Sequence, residues 1–141
     1  MRVLLYSIGD ELFASPLATI EESIDCPFIR PMPGADDHAV GVVDVRGRRI
    51  AAYSPMMSLN VAIRGEPGAA LIVEGEHTPI ALLISDVDDA IEIDATNIRI
   101  APGSDNQDGV LLGVFQYQGR LVSLVDPLAI RDVCLAAGAK H

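Results

Sequence analysis

At 141 residues, half of them hydrophobic but only 4% aromatic and with no tryptophan, the chain can form one compact domain or two very small barrels, with a core built from Val, Ile, Leu and Ala. A formal net charge of −10 excludes a general role on DNA or RNA, where Lys and Arg must neutralise phosphates. No apolar run reaches the roughly eighteen residues of a membrane-spanning helix, and the opening Met1 to Ile8 gives way to Gly9-Asp10-Glu11 without the pattern of a signal peptide, so a cytoplasmic protein with no membrane insertion is expected.

In chain order, Arg2 to Ser7 and Glu11 to Ser15 flank Gly9-Asp10 and predict a β-hairpin. Leu17 to Asp25 follows; if it is extended, Ile20, Glu22 and Ile24 share one face. On parity alone the simpler reading of Glu22 is a solvated acid at a strand end. Cys26 to Asp37 carries Pro27, Pro31, Pro33 and Gly34 and reads as a stiff loop. A second hairpin then runs from Gly41 through a turn placed at Gly47-Arg48 to Tyr53. Ser54-Pro55 fits a helix start, with a capping side chain before a proline whose missing N–H costs nothing there. Ser54 to Asn60 is long enough for one or two helical turns, and Arg64-Gly65-Glu66-Pro67-Gly68 is the clearest break in the chain.

The second half repeats this order. Ala69 to Glu74, a Gly75-Glu76 turn and Thr78 to Ser85 form a hairpin, and Val87 to Ile93 is again a strand with interspersed acids. A polar loop, Ala101 to Gly109, leads to Gly113–Tyr117, a Gly119-Arg120 turn and Leu121–Val125. Asp126-Pro127 then starts a helix running to Ala137, with Arg131 and Asp132 on its polar side and Gly138 as its stop. Short, regularly spaced strands predict an all-β protein, and the duplication predicts two pseudo-repeated β-barrel subdomains over residues 1–141 with a boundary near 60–68. A groove between repeats is the natural binding surface. Where the first copy has Arg46, the second has Gln118. A charge present in only one half is not required by the fold, so Arg46, read as a strand residue, is a candidate for contact with an acidic partner, whereas Arg48 and Arg49 read as a solvated hairpin tip.

Reactive machinery is not evident. Cys26 and Cys134 lack metal or redox spacing and read as buried, reduced thiols. His38 and His77 sit in polar loops without a second ligand at metal spacing. Ser104 to Gly109 partly matches a calcium loop, but Ser104 replaces the first aspartate and Phe115 the closing glutamate, so it reads as a turn. There is no Gly-Lys-Ser/Thr phosphate loop and no nucleophile elbow. Asp86, Asp88, Asp89 and Glu92 read as solubilising charge. The expectation is a protein that is bound, with no catalytic residue, metal or cofactor. A ligand-binding β-barrel is the second class, and a hydrolase built on Asp86, Asp88 or Cys26 a remote third.

Gly41-Val42-Val43-Asp44-Val45-Arg46-Gly47 resembles the G-hydrophobic-x-N-L-R-G signature of CheW-like domains, the coupling proteins of bacterial chemotaxis. Gly113 to Pro127 is similar to that family's closing segment, Ile20-Glu21-Glu22 to its V-x-E element, and Leu82 to Ala90 to its "l-V-D-x-V-x-d-V" element, all in the family's order. The resemblance implies two five-stranded SH3-like barrels packed together with a C-terminal helix. It implies a non-catalytic adaptor bridging a chemoreceptor's cytoplasmic tip to the regulatory domain of a chemotaxis histidine kinase. Carried over by motif, the receptor groove involves Ile20, Glu22, Gly41, Arg46 and Val87. Three departures stand out. Asp44 replaces the usual asparagine, two residues from Arg46 and expected on its strand face, Ile50 to Met56 lacks the usual "i-P-V-i-D-L-R" proline and aspartate, and the chain ends soon after the second signature. A pilus-motility or other divergent signalling array is therefore an alternative.

Overall fold

A computed structural model describes residues 1–31, 39–74, 78–100 and 108–138. Its elements are β1 (Arg2–Ile8), β2 (Glu11–Pro16), β3 (Glu22–Asp25), a two-residue β4 (Ile29–Arg30), β5 (Ala39–Val45), β6 (Arg48–Tyr53), α1 (Met56–Leu59), β7 (Ala69–Val73), β8 (Ile80–Ile84), β9 (Asp86–Glu92), β10 (Leu111–Tyr117), β11 (Arg120–Val125) and α2 (Pro127–Gly138). One sheet has the order β10-β11-β2-β1-β9 and the other β3-β7-β8-β6-β5-β4. The expected all-β architecture, two SH3-like subdomains with a C-terminal helix, is present.

β1, β2, β7 and β8 are near-continuous apolar runs because both of their faces are buried. Val3, Leu5, Leu12 and Ala14 point into one subdomain with Phe115, Val122 and Leu124. Ala70, Ile72, Ala81 and Leu83 point into the other with Val43, Val45 and Ile50. The alternate residues, Leu4, Tyr6, Ile8 and Phe13 from one sheet and Leu71, Val73, Ile80, Leu82 and Ile84 from the other, meet in a third cluster at the seam. Ile130 and Cys134 of α2 pack into that seam. Tyr6 is fully buried there and its hydroxyl is 2.9 Å from Ser15 Oγ, so its one polar atom is satisfied. Burial pushes the Tyr6 phenol well above its usual range.

The expected boundary near 60–68 does not separate the sheets. β6, before that break, and β7, after it, belong to the same sheet. Each half lends its opening hairpin to the other: β1 pairs antiparallel with β9 and β2 parallel with β11, while β7 pairs with β3 and β8 parallel with β6. The Gly-Pro break is a real reversal of the chain, but the partner of a strand is chosen by burial, not by the nearest turn.

The repeat extends to backbone details. In both halves a strand bulges beside a buried glycine, between Ala39 and Gly41 and between Leu111 and Gly113. A Cβ on Gly41 would strike the Arg30 carbonyl of β4, and one on Gly113 would lie 2.7 Å from the Arg99 carbonyl oxygen. Both helix starts form as expected, with the Met56 N–H donating to Ser54 Oγ and the Leu128 N–H to Asp126 Oδ1.

Two further expectations change. Arg131, placed with Asp132 on the polar side of α2, is buried, donating from Nη1 to the Glu74 carbonyl and from Nη2 to Asp132 Oδ1, so it ties α2 to the end of β7. Cys26 is exposed and has φ 47°, because β3 has ended and its N–H turns to the Gly68 carbonyl; Cys134 is buried as expected. His38, His77, the Gly75-Glu76 turn and Ser104 to Gln107 lie outside the described residues. Hairpin exchange predicts that a fragment of residues 1–65 is unfolded alone and that mixing it with residues 66–141 restores a cooperative β-sheet circular-dichroism transition. An independently folded 1–65 fragment contradicts the exchange.

Candidate functional site

The β5–β6 hairpin pairs Val45 with Arg48, so its turn is Arg46-Gly47, one residue earlier than the sequence suggests. Arg46 has φ 51° and Gly47 φ 82°. Positive φ at both central positions is the type I′ pattern, which matches the twist of the flanking strands. Gln118-Gly119 has the same geometry, with φ 51° and 77°. A non-glycine side chain in this conformation costs roughly 1 kcal/mol. The turn requires that conformation in both copies, whereas only the first carries a charge there.

Arg46 is therefore a tip residue, not a strand residue, and its side chain is 82% exposed. Its Nη2 lies 3.4 Å from Glu22 Oε2, on a carboxylate that is only 26% exposed. β3 holds that carboxylate in place through the Glu22–Ile72 register with β7, and Glu22 and Ile24 are the half-buried residues of the strand, as parity requires. Glu22 is thus more than a solvated acid. Asp44 does not engage Arg46. The turn lifts Arg46 off the strand face, and Asp44 is held by Arg30 Nη2 at 2.7 Å.

Ile20, at the end of a 3₁₀ turn over Leu17–Thr19, and Val87 of β9 are half-buried, and both pack against the seam cluster. The structure thus brings Glu22 and Arg46 together and sets Ile20 and Val87 against a common core. Gly41 is different: it is buried, and the space a Cβ would need there is taken by the Arg30 carbonyl of β4, the strand that pairs antiparallel with β5. Gly41→Ala is expected to cost about 1–3 kcal/mol by overpacking, and Gly113→Ala a similar amount, both read by urea unfolding; a neutral Gly41→Ala rules out the close contact with the Arg30 carbonyl.

Sequence reasoning missed the ion network beside this pair. Arg48 bonds Glu74 through both terminal nitrogens, at 2.9 and 3.3 Å, and its Nη1 is 3.8 Å from Glu21. Glu74 stands 26 residues from Arg48 in sequence, and no local pattern signals that contact. A hydrogen bond with Glu74 raises the Glu21 carboxyl above its usual 4.5, with desolvation and the Glu74 charge adding to it. The same hydrogen bond, and then Arg48, lower the Glu74 carboxyl. Once Glu21 ionises, it and Glu74 are two like charges in contact, only partly offset by Arg48. Asp86, Asp88, Asp89 and Glu92 are exposed, and among the described residues no group of three His, Cys, Asp or Glu side chains could hold a metal ion.

The raised Glu21 carboxyl favours the fold at low pH, and this contribution is lost as pH rises through its folded value. The lowered Glu74 carboxyl contributes above its unfolded value, and this is lost as pH falls through its folded value. Glu21→Gln keeps a hydrogen-bonding group and removes the repulsion. Its melting temperature is expected to exceed the parent's at neutral pH, with the difference shrinking as pH falls through the raised Glu21 value. A difference that stays constant with pH contradicts the shared contact.

The CheW-like domain family matches residues 2–133. A chemotaxis protein CheW of Rhizobium meliloti (strain 1021) is 23% identical over 129 residues, covering 89% of this chain and 83% of that protein. The crystal structure of the scaffolding protein TtCheW from Thermoanaerobacter tengcongensis superposes with a TM-score of 0.74 at 18% identity, covering 88% of this chain and 87% of that one. The family match over nearly the whole length, with the same fold in the superposed structure, leads to one conclusion: the chain belongs to the CheW-like domain family, whose proteins are chemotaxis scaffolds and adaptors rather than enzymes.

Proposed function

We propose that this chain couples a chemoreceptor's cytoplasmic tip to the regulatory domain of a chemotaxis histidine kinase, and that the receptor docks along the seam at Ile20, Glu22, Arg46 and Val87. The observation that carries the reading is the Glu22–Arg46 pair. An exposed guanidinium is tethered at long range, 3.4 Å, to a half-buried carboxylate, beside apolar side chains that pack on the seam core. Such a loosely held cation can turn to an acidic group on a partner while Glu22 keeps it near the seam. Its absence from the second copy supports a role outside folding. Gly41 contributes to this site only by shaping the backbone.

Apolar side chains on the outer surface support a second contact, with the kinase domain. Phe28 and Val40 are 78% and 53% exposed beside the β4–β5 edge, and Leu112 and Leu121 are exposed on the other sheet. Val40 and Leu112 are equivalent bulge residues, so each subdomain offers an apolar spot at the same place. Members of a pilus-motility or other array would use the same surfaces with different partners, and binding to the corresponding receptor fragment separates these readings.

Arg46→Asn keeps the left-handed turn, which asparagine tolerates, and removes the charge. The melting temperature is expected to stay the same or rise, while affinity for a chemoreceptor cytoplasmic fragment falls about tenfold, or about 1.4 kcal/mol, by isothermal titration calorimetry. Unchanged receptor affinity sinks the assignment of Arg46. No association of the parent with receptor or kinase fragment at tens of micromolar removes the adaptor reading.

A further inference from the structure

The outer face of the β5–β6 hairpin holds a pocket of about 540 Å³, within the size range of small-ligand sites. Its apolar lining comes from Val42, Ala51, Pro79 and, from the last helix, Leu135; Arg30 and Arg49 supply its cations and Thr78 a hydroxyl. Val42 and Ala51 are direct cross-strand partners, and so are Asp44 and Arg49.

The charge balance inside the pocket is uneven. Both oxygens of Asp44 lie on Arg30 Nη2, at 3.0 and 2.7 Å, so that acid is already matched. Arg49, although opposite Asp44 in the ladder, has no carboxylate within ion-pair distance among the described residues. Among the described residues one guanidinium is left unmatched beside an apolar floor, in a chain whose net charge is −10.

The internal repeat supplies a control. Arg30↔Val42 corresponds to Arg99↔Val114, and both pairs line a pocket on their own sheet. At the position of Arg49 the second pocket has Leu121. The backbone therefore accepts an apolar residue there, and the arginine is an addition to the fold rather than a requirement of it.

We propose that the Arg49 pocket binds a small amphipathic carboxylate, its acid group on the Arg49 guanidinium with Thr78 alongside, and its alkyl or aryl body over Val42, Ala51, Pro79 and Leu135. One unmatched cation suits a monoanion, and the guanidinium fork accepts both carboxylate oxygens. Because Leu135 lies on α2, whose Ile130 and Cys134 reach the seam, occupancy also braces the last helix. This site is separate from Glu22 and Arg46, and the proposal does not rest on the adaptor reading.

The test is an NMR titration of the full chain with phenylacetate and with hexanoate, using phenethylamine and 2-phenylethanol as matched controls. Saturable shifts at Val42, Ala51 and Leu135 with the acids alone are expected, with a dissociation constant on the order of 1 mM. Arg49→Leu should weaken binding at least about tenfold with the melting temperature unchanged, since leucine is the residue of the second copy. Ala51→Leu, which fills the floor, should also abolish binding. The proposal is overturned by equal shifts with the amine or alcohol, by binding that survives Arg49→Leu, by shifts centred on Leu121, by no saturable shift, or by response to acidic peptides but not to small acids.

Discussion

Two opening hairpins, each completing the sheet of the other half, impose the constraint from which the rest of the molecule follows. β1 and β2 cannot satisfy their backbone groups within the first half alone; they do so against β9 and β11. β7 and β8 do the same against β3 and β6. An unpaired buried N–H or C=O is costly, so the pairing and the burial enforce one another. The exchanged strands have no solvent-facing side, and for this reason the seam is a packed core rather than an open groove.

A filled seam leaves its rim, rather than its interior, as surface. There the fold presents a hairpin tip whose backbone is dictated by the twist of two strands and whose side chain is not. Arg46 and Gln118 share one backbone conformation, yet differ completely in what they offer a partner. The local cost of a left-handed non-glycine residue is common to both copies and says nothing about function. The charge is not common to both, so the fold does not require it. The same comparison separates Arg49 from Leu121 on the outer face. In a duplicated protein each copy tests what the architecture demands of the other.

The acidic surface is also less uniform than its net charge implies. Arg30 matches Asp44, Arg48 matches Glu74, and Arg46 leans towards Glu22. Arg46 and Arg48, close in sequence, are separated by the pleat and the turn into distinct neighbourhoods. Exposed pairs of this kind contribute little to stability. Their importance lies in where they leave charge unmatched.

The repeat, the strand segments, the helix starts at Ser54 and Asp126, the shared face of Glu22 and Ile24 and the one-sided charge at Arg46 were all legible in the sequence. Each rests on an interaction between residues a few positions apart: a pleat of period two, a turn, a cap. The family resemblance added Ile20 and Val87, which the structure sets against one core, and Gly41, which lies buried against the Arg30 carbonyl. What remained hidden was non-local. The Gly-Pro break at 65–68 marks where the chain turns and not which strand it will meet, and β7 after it joins the sheet of β6 before it. The burial of Arg131, the Arg48–Glu74–Glu21 contact and the capture of Asp44 by Arg30 depend on segments that only tertiary packing brings together. Local backbone preferences determine the elements, but partners are selected by the burial and hydrogen-bond satisfaction of the whole chain, which no window of sequence contains.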